Sequence, residues 1–141
     1  MKNRCENLVA YFEKLQPHDV TRMADFYADD AYFCDPFNEV NTLAEIQKIF
    51  RDMFTKLQQP RFKILKIYQT EGGAVLVWDF SFQVKFFRLH DYVIHGNSVL
   101  KFDAQGKVNY HRDYWDSSAE LYAKLPLIGA LFRGLRRVFA S

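Results

Sequence analysis

The last strand of the predicted sheet reads Lys107-Val-Asn-Tyr-His-Arg-Asp-Tyr-Trp-Asp116, and it follows the turn Asp103-Ala-Gln-Gly106. Successive side chains leave a strand on opposite faces, so the stretch divides into two sets. One face carries Val108, Tyr110, Arg112 and Tyr114. The other face carries Asn109, His111, Asp113 and Trp115. An imidazole, a carboxylate and an indole on one face indicate a polar spot in an apolar cavity rather than a solid core.

Three earlier stretches, 61–70, 74–89 and 92–103, also have the pattern of strands. The middle stretch alternates apolar residues without a break, at Leu76, Trp78, Phe80, Phe82, Val84 and Phe86. Because the connections between these consecutive strands are short, they predict an antiparallel, strongly bent sheet.

Helices are predicted before this sheet. Apolar residues at helical spacing predict a helix over 3–15, and Asp19 is a candidate N-cap for a second helix over 19–28. Thr42-Leu-Ala-Glu45 forms a capping box that starts a third helix ending near Leu57.

The order of these elements predicts the fold class. Helices, with a short strand over 31–35, come first and a meander of strands follows. This order predicts an α+β fold in which N-terminal helices pack on one face of a curved antiparallel sheet. The interior of such a cone is a common place for a ligand.

Composition limits the classes of protein and partner. At 141 residues the chain is predicted to form one domain, and its 14 Phe suggest rings that line a cavity or an oligomer interface. A net charge of +2 is too small to indicate nucleic acid as a partner. Cys5 and Cys34 lack the spacing of zinc ligands, and we see no signal peptide or membrane span. We therefore expect reduced thiols and a cytoplasmic location.

The C-terminal segment has a separate pattern. We divide the chain into a domain over 1–125 and an amphipathic basic helix over 126–141, with Leu127, Ile128, Leu131, Leu135 and Val138 opposite three arginines. Such a helix can lie on a membrane surface. We favour the other interpretation, a lid or dimer arm packed on its own domain.

The last hairpin allows a prediction of register. If Gly106 takes the left-handed position of the turn, paired residue numbers sum to about 209. Ser98 would then lie opposite His111, Gly96 opposite Asp113, and Ile94 opposite Trp115. A slip of one residue would send every side chain to the other face.

Several motifs, taken in order, resemble a known superfamily. They are Tyr11, Ala28-Asp-Asp-Ala31, Asp35-Pro36-Phe37, the hairpin from Gly96 to Lys107, and Arg112-Asp-Tyr-Trp-Asp116. Together they resemble the nuclear-transport-factor-2-like superfamily. More narrowly, they resemble its SnoaL-like branch, which is related to ketosteroid isomerases, polyketide cyclases and limonene-epoxide hydrolases.

The resemblance covers residues 5–122 and implies a cone-shaped, cystatin-like roll with a hydrophobic pocket at its open end, usually as a homodimer. It places Tyr11 where ketosteroid isomerases keep an oxyanion-stabilising tyrosine. It places Asp35 at their general base and Tyr27 at a supporting tyrosine.

The chain also departs from the isomerases. Their second oxyanion donor, a carboxylic acid, is Ser98 here, and a further tyrosine is Phe50, so steroid isomerisation is not expected. Asp113 resembles in position the acid/base aspartate of the polyketide cyclases.

These residues suggest acid/base chemistry. Burial in an apolar pocket raises the pKa of a carboxyl group because the charged form loses hydration, and a second carboxylate raises it further. Asp35 and Asp113 would share acid/base duty, with His111 holding a proton between them, in proton abstraction beside a carbonyl, ring closure or water addition. None of these reactions needs a cofactor. The expected hydrogen-bond partners and walls are Tyr11, Ser98, Tyr27, Trp115, Trp78, Phe80, Phe50 and Ile94.

Each polar residue also has an ordinary structural interpretation. Asp35 can cap a turn before Pro36. Asp113 can form an ion pair with Arg112 or a buried hydrogen bond. His111 can be an interior histidine and Tyr11 a core aromatic. The four histidines are scattered, so we expect no metal site.

Two hypotheses from different classes remain. The first is a cofactor-independent acid/base enzyme of isomerase, cyclase or hydrolase type that acts on a small apolar substrate. The second is a non-catalytic module of the same fold that binds a small ligand or a protein partner, with a tail that could reach a membrane.

Overall fold

A computed structural model describes residues 2–84 and 90–120 together with Gly134, Arg137, Val138 and Ala140. The helical elements are α1 (Lys2–Glu13), a 3₁₀ helix (Pro17–Asp25), α2 (Leu43–Lys56) and α3 (Ser117–Glu120). The strands are β1 (Tyr27–Cys34), β2 (Glu39–Val40), β3 (Gln58–Thr70), β4 (Gly73–Val84), β5 (His90–Phe102) and β6 (Val108–Tyr114). Most of the predicted C-terminal helix and the end of the predicted strand over 74–89 lie outside the described residues. No helix in the described ranges has both the length and the apolar content to span a bilayer.

The helix boundaries follow local hydrogen bonding. Thr42 is the N-cap of α2, as predicted, and its hydroxyl oxygen accepts a hydrogen bond from the Glu45 amide. The second helix starts earlier than predicted, at Pro17, because proline suits the first position of a helix. Asp19 is therefore not the N-cap. Its carboxylate instead accepts from the backbone amide of Gln16, completing a capping box.

The described strands form one curved sheet in the order β2-β1-β6-β5-β4-β3. Consecutive strands from β3 to β6 pair antiparallel, as their short connections predict. The β1–β6 pair is parallel, because the chain reaches β6 from β1 through the rest of the molecule rather than through a hairpin. The predicted α+β class is confirmed.

The register of the last hairpin differs from the prediction by two residues. At the turn the Gly106 amide donates to the Asp103 carbonyl, and Asp103 pairs with Lys107. The register then shifts between Phe102 and Lys101, which leaves Asn109 as the extra residue of a β-bulge. Ser98 consequently lies opposite Asp113, not opposite His111.

The predicted pairings of Gly96 with Asp113 and Ile94 with Trp115 are wrong for the same reason. Beyond the bulge the displacement is an even number of residues, so His111 and Asp113 keep their predicted face. Before the bulge the displacement is one residue, so Val108 lies in the core and Asn109 is exposed, the reverse of the prediction.

The core lies between the concave face of the sheet and the helices. It combines side chains from α1, the 3₁₀ helix, α2 and the strands. Its largest fully buried members are Tyr27, Phe33, Leu8, Met23, Ile46, Leu100, Val20, Val108 and Cys5. Burial of this apolar set is the main favourable term in folding.

The capping box of α2 gives a test of local stability. Thr42→Ala removes the oxygen that accepts from the Glu45 amide, so we expect the free energy of unfolding to fall by about 1 kcal/mol in urea titration. Thr55→Ala is the matched control, since its hydroxyl donates only to the Arg51 carbonyl within the same helix. A Thr42→Ala effect no larger than that of the control would contradict this role of the cap.

Candidate functional site

The sheet and the helices α1 and α2 line a largely apolar cavity of about 460 Å³. Its walls are mainly rings, contributed by Phe12, Phe33, Phe37, Phe50, Phe62, Trp78, Phe80, Phe82 and Trp115. Aliphatic residues complete the walls, at Ile49, Met53, Leu57, Ile64, Leu76, Val84 and Ile94. The polar lining residues are Asp35, Asn38, Asp52, Lys56, Ser98, His111 and Asp113. A cavity with few polar groups of this kind suits a small, mostly apolar ligand.

A continuous hydrogen-bond network forms the polar part of this wall. The Trp78 Nε1–H donates to the Ser98 Oγ at 2.8 Å, and the Ser98 hydroxyl donates to the Asp113 Oδ1 at 2.5 Å. The His111 Nε2 lies 2.7 Å from the same Oδ1. The His111 Nδ1 lies 2.6 Å from the Tyr27 hydroxyl. Two chains of hydrogen bonds therefore converge on one carboxylate oxygen.

The surroundings of Tyr27 determine the direction of the protons. Its complete burial raises the pKa of the phenol well above its usual value, and the nearby Asp113 charge adds to the effect. Tyr27 therefore keeps its proton. Because the Asp113 carboxylate can only accept, a neutral His111 donates to it through Nε2, and its Nδ1 then accepts from the Tyr27 hydroxyl. The proton of a neutral His111 is then on Nε2, where it points at Asp113.

Strand geometry holds this network in place. Ser98 on β5 lies directly opposite Asp113 on β6, and His111 is two residues away on the same face. Trp78 on β4 lies opposite Gly96, and a Cβ at that glycine would come within 2.6 Å of the indole ring. The missing side chain lets the indole lie over the strand and reach Ser98.

Asp113 does not form the ion pair with Arg112 that the sequence allows. Arg112 points to the other face of the sheet, where its guanidinium lies 5.3 Å from the Tyr114 ring centroid. Asp113 instead makes the buried hydrogen bonds that were the other possibility.

Asp35 has both of the roles that the sequence allows, as the cap of a turn and as a residue of the cavity wall. It follows β1, and its Oδ1 accepts from the amides of Phe37 at 2.8 Å and Asn38 at 2.7 Å. The Asn38 side chain also lies within 3.3 Å of both carboxylate oxygens. Asp35 thus caps a turn and at the same time lines the cavity.

Tyr11 and Tyr27 are not among the residues that line the cavity. The Tyr11 hydroxyl donates to the Asp19 backbone carbonyl at 2.8 Å, on the side of α1 that packs on the 3₁₀ helix. Burial raises the pKa of Tyr11 to about 12. Tyr27 lies behind His111, so it contacts the network and not the cavity.

The other predicted site residues do lie in the cavity wall, at Asp35, Asp113, His111, Ser98, Trp115, Trp78, Phe80, Phe50 and Ile94. The sequence prediction missed Asp52 and Lys56, which lie on α2 near the cavity without any motif to mark them. It also missed Phe12, whose helical spacing indicated only a core position. Within the described ranges, no three His, Cys, Asp or Glu side chains are placed to hold a metal ion.

Comparison with known protein families identifies the class of protein. The family model of the SnoaL-like domain matches residues 8–111, so the chain belongs to the SnoaL-like branch of the nuclear-transport-factor-2-like superfamily. No curated protein matches the sequence.

Three solved structures illustrate the proteins whose fold is similar to that of this chain. A proposed SnoaL-like polyketide cyclase from Shewanella putrefaciens CN-32 superposes with a TM-score of 0.70 at 22% identity, covering 86% of this chain and 97% of that one. An LEH-like epoxide hydrolase of M. tuberculosis superposes with a TM-score of 0.67 at 16% identity, covering 99% of this chain and 95% of that one. A protein from Catenulispora acidiphila DSM 44928 with a ketosteroid isomerase-like fold gives 0.71 at 12%, covering 84% and 88%. At these identities the likeness shows the fold alone.

The buried end of the network can be tested through stability. Tyr27→Phe leaves the His111 Nδ1 buried without its partner, so we expect the free energy of unfolding to fall by about 1–3 kcal/mol. Tyr32→Phe is the matched control on the same strand, because it removes a hydroxyl bonded at 2.6 Å to Glu39 at an exposed position. We expect the control to change stability by less than about 0.5 kcal/mol in the same urea titration. Equal losses in the two variants would count against the network.

Proposed function

We propose that this protein is a cofactor-independent acid/base enzyme that acts on a small, mostly apolar substrate, with Asp113 as the proton-accepting group. The observation that carries the proposal is the convergence of Ser98 and His111 on one oxygen of Asp113 in the wall of an apolar cavity. Hydrogen bonds hold the carboxylate in one orientation, and its second oxygen remains for the reacting proton.

The supporting residues have distinct roles in this proposal. Ser98 and His111 orient Asp113 and stabilise its charge, while Tyr27 fixes the tautomer of His111. The His111 Nε2–H stays directed at the Asp113 Oδ1 at 2.7 Å, and the proton that Asp113 accepts on its second oxygen returns to the substrate or passes to water. General acid/base catalysis by a positioned group contributes about 10²–10⁴-fold to a rate.

Asp35 has the secondary part in the proposed chemistry. Its Oδ1 already accepts two backbone amides, so its orientation is fixed by the turn. We propose that it exchanges a proton with the substrate or with water at the cavity wall, while Asp113 is the principal base.

The walls supply the environment for these proton transfers. Rings such as Trp115, Phe80 and Phe50 together with Ile94 exclude water from the substrate. Electrostatic interactions are stronger in a site of low dielectric constant, which strengthens the hydrogen bonds that hold Asp113 in position to accept a proton. The reactions within reach are proton abstraction beside a carbonyl, ring closure and water addition. A cyclase and an epoxide hydrolase among proteins of similar fold support this range.

The first experiment identifies a molecule that co-purifies in the cavity by native mass spectrometry and then measures its conversion in isotopically labelled water. Deuterium or oxygen-18 uptake distinguishes proton abstraction from water addition. We expect Asp113→Asn to lower the rate by about 10²–10⁴-fold because the amide cannot accept the proton.

The matched control is Asp79→Asn. Asp79 is also hydrogen-bonded to a histidine, His95, but the pair lies on the outer face of the sheet, and we expect the rate to stay within about twofold of the parent. If the parent protein converts none of its co-purified ligand, the catalytic proposal is wrong. The protein is then the ligand-binding module of the alternative hypothesis.

A further inference from the structure

We propose that the ligand of this cavity carries a hydrogen-bond donor, a hydroxyl or an ammonium group, that it directs at the Oδ2 of Asp113. The inference rests on the proposed function in one respect, which is that the substrate's polar group lies at Asp113. It names the chemical class of the ligand: among the substrates of the reactions proposed above, those that carry such a donor in addition to any carbonyl or epoxide oxygen bind more tightly than those that carry an acceptor alone.

The hydrogen-bond donors of the polar wall are all used within the protein. The Trp78 Nε1–H is used by Ser98, and the Ser98 hydroxyl proton is used by Asp113. The Tyr27 proton goes to the His111 Nδ1, and the His111 Nε2–H goes to Asp113. Every donor of the network therefore points at a protein atom, and none remains for a ligand.

One hydrogen-bond acceptor of the network, the Oδ2 of Asp113, has no donor among the described residues. Both hydrogen bonds to Asp113 reach Oδ1, and no group in the described part of the chain donates to its Oδ2. The Asp113 side chain is 17% exposed and lines the cavity, in contrast to His111 at 5%. The free polar atom that this wall offers is thus an acceptor with negative charge.

Donors elsewhere in the lining do not change this balance. The Asn38 side-chain amide donates to Asp35, at the turn after β1. Lys56 lies at the end of α2 and is exposed, so water hydrates its ammonium group. Neither belongs to the network around Asp113.

The energetic consequence is a preference among ligands of the same shape. A ketone oxygen at Asp113 would face another acceptor and lose its hydrogen bonds to water without replacement. A hydroxyl or ammonium group pairs with the carboxylate, and hydrogen bonds to charged groups are about twice as strong as neutral ones. We therefore expect discrimination of about tenfold or more against the ketone.

Three probes with one carbon skeleton test this directly: menthol, menthylamine, which is protonated at neutral pH, and menthone. The chain has 2 tryptophans, Trp78 and Trp115, and both line the cavity, so intrinsic fluorescence reports its occupancy. We expect menthol and menthylamine to bind at least about tenfold more tightly than menthone. If only menthylamine binds more tightly than menthone, the preferred donor of the ligand is an ammonium group. If menthol and menthylamine bind with similar affinity, the hydrogen bond determines the preference and the positive charge does not.

In the variant Asp113→Asn we expect the preference between menthol and menthone to shift toward menthone. Its amide oxygen can keep the bonds from Ser98 and His111, which turns the amide N–H toward the cavity. We expect menthone to bind more tightly than in the parent and menthol less tightly, so that their affinity ratio changes by about tenfold or more. Asp79→Asn should leave all three affinities unchanged, since Asp79 does not line the cavity.

Two results would overturn the inference. One is menthone binding to the parent protein as tightly as menthol and menthylamine, and the other is the absence of binding by all three probes. The parent ranking decides the question even if Asp113→Asn does not fold, and circular dichroism shows whether it does. Affinity ranking is also independent of turnover, so the failure of this inference can be distinguished from failure of the proposed catalysis.

Discussion

The hydrogen bonds that meet at the Oδ1 of Asp113 are the constraint on which the polar wall depends. They join β5, through Ser98, to two positions of β6, and they extend to β4 through Trp78 and to β1 through Tyr27. Four strands thus share one set of polar contacts inside an apolar interior. Such a network is stable only if each buried group has a partner, and no buried side-chain nitrogen or oxygen among the described residues lacks one.

This requirement explains why the bulge at Asn109 matters. Without the extra residue, Asp113 would not lie opposite Ser98, and the shortest contact of the network would be lost. The bulge and the turn at Gly106 each displace the pairing by one residue relative to a simple hairpin. Between the turn and the bulge the single displacement moves Val108 to the buried face. Beyond the bulge the second displacement restores the face of His111 and Asp113 and changes which side chains are their neighbours.

The same strand shows how far sequence reasoning reaches. Alternation predicted the face of His111, Asp113 and Trp115 because it depends only on the two-residue period of a strand. The partner of Asp113 could not be predicted, because a bulge leaves no reliable mark in one sequence. The parallel pairing of β1 with β6 was equally inaccessible, since it joins segments far apart in the chain.

Helix α1 shows a second limit of prediction from the sequence. Tyr11 and Phe12 are neighbours, and both have the spacing of buried positions. Phe12 lines the cavity, whereas Tyr11 stacks on Phe26 with ring centroids 4.6 Å apart and bonds to the 3₁₀ helix. Which of two buried aromatics faces a hollow depends on the rotation of the helix against its neighbours, and periodicity fixes that rotation only to within a residue. The capping box at Thr42 was predictable because its hydrogen bonds are local.

The absence of a side chain at Gly96 affects the size of the cavity. The indole of Trp78 occupies the space that a methyl group at this position would need. Residue 96 therefore regulates the free space beside the polar wall although it is absent from the wall itself. In a homologue with alanine or serine at position 96, the added side chain would push the indole of Trp78 toward the cavity. The cavity would then accept a smaller ligand, although no residue that contacts the ligand had been replaced.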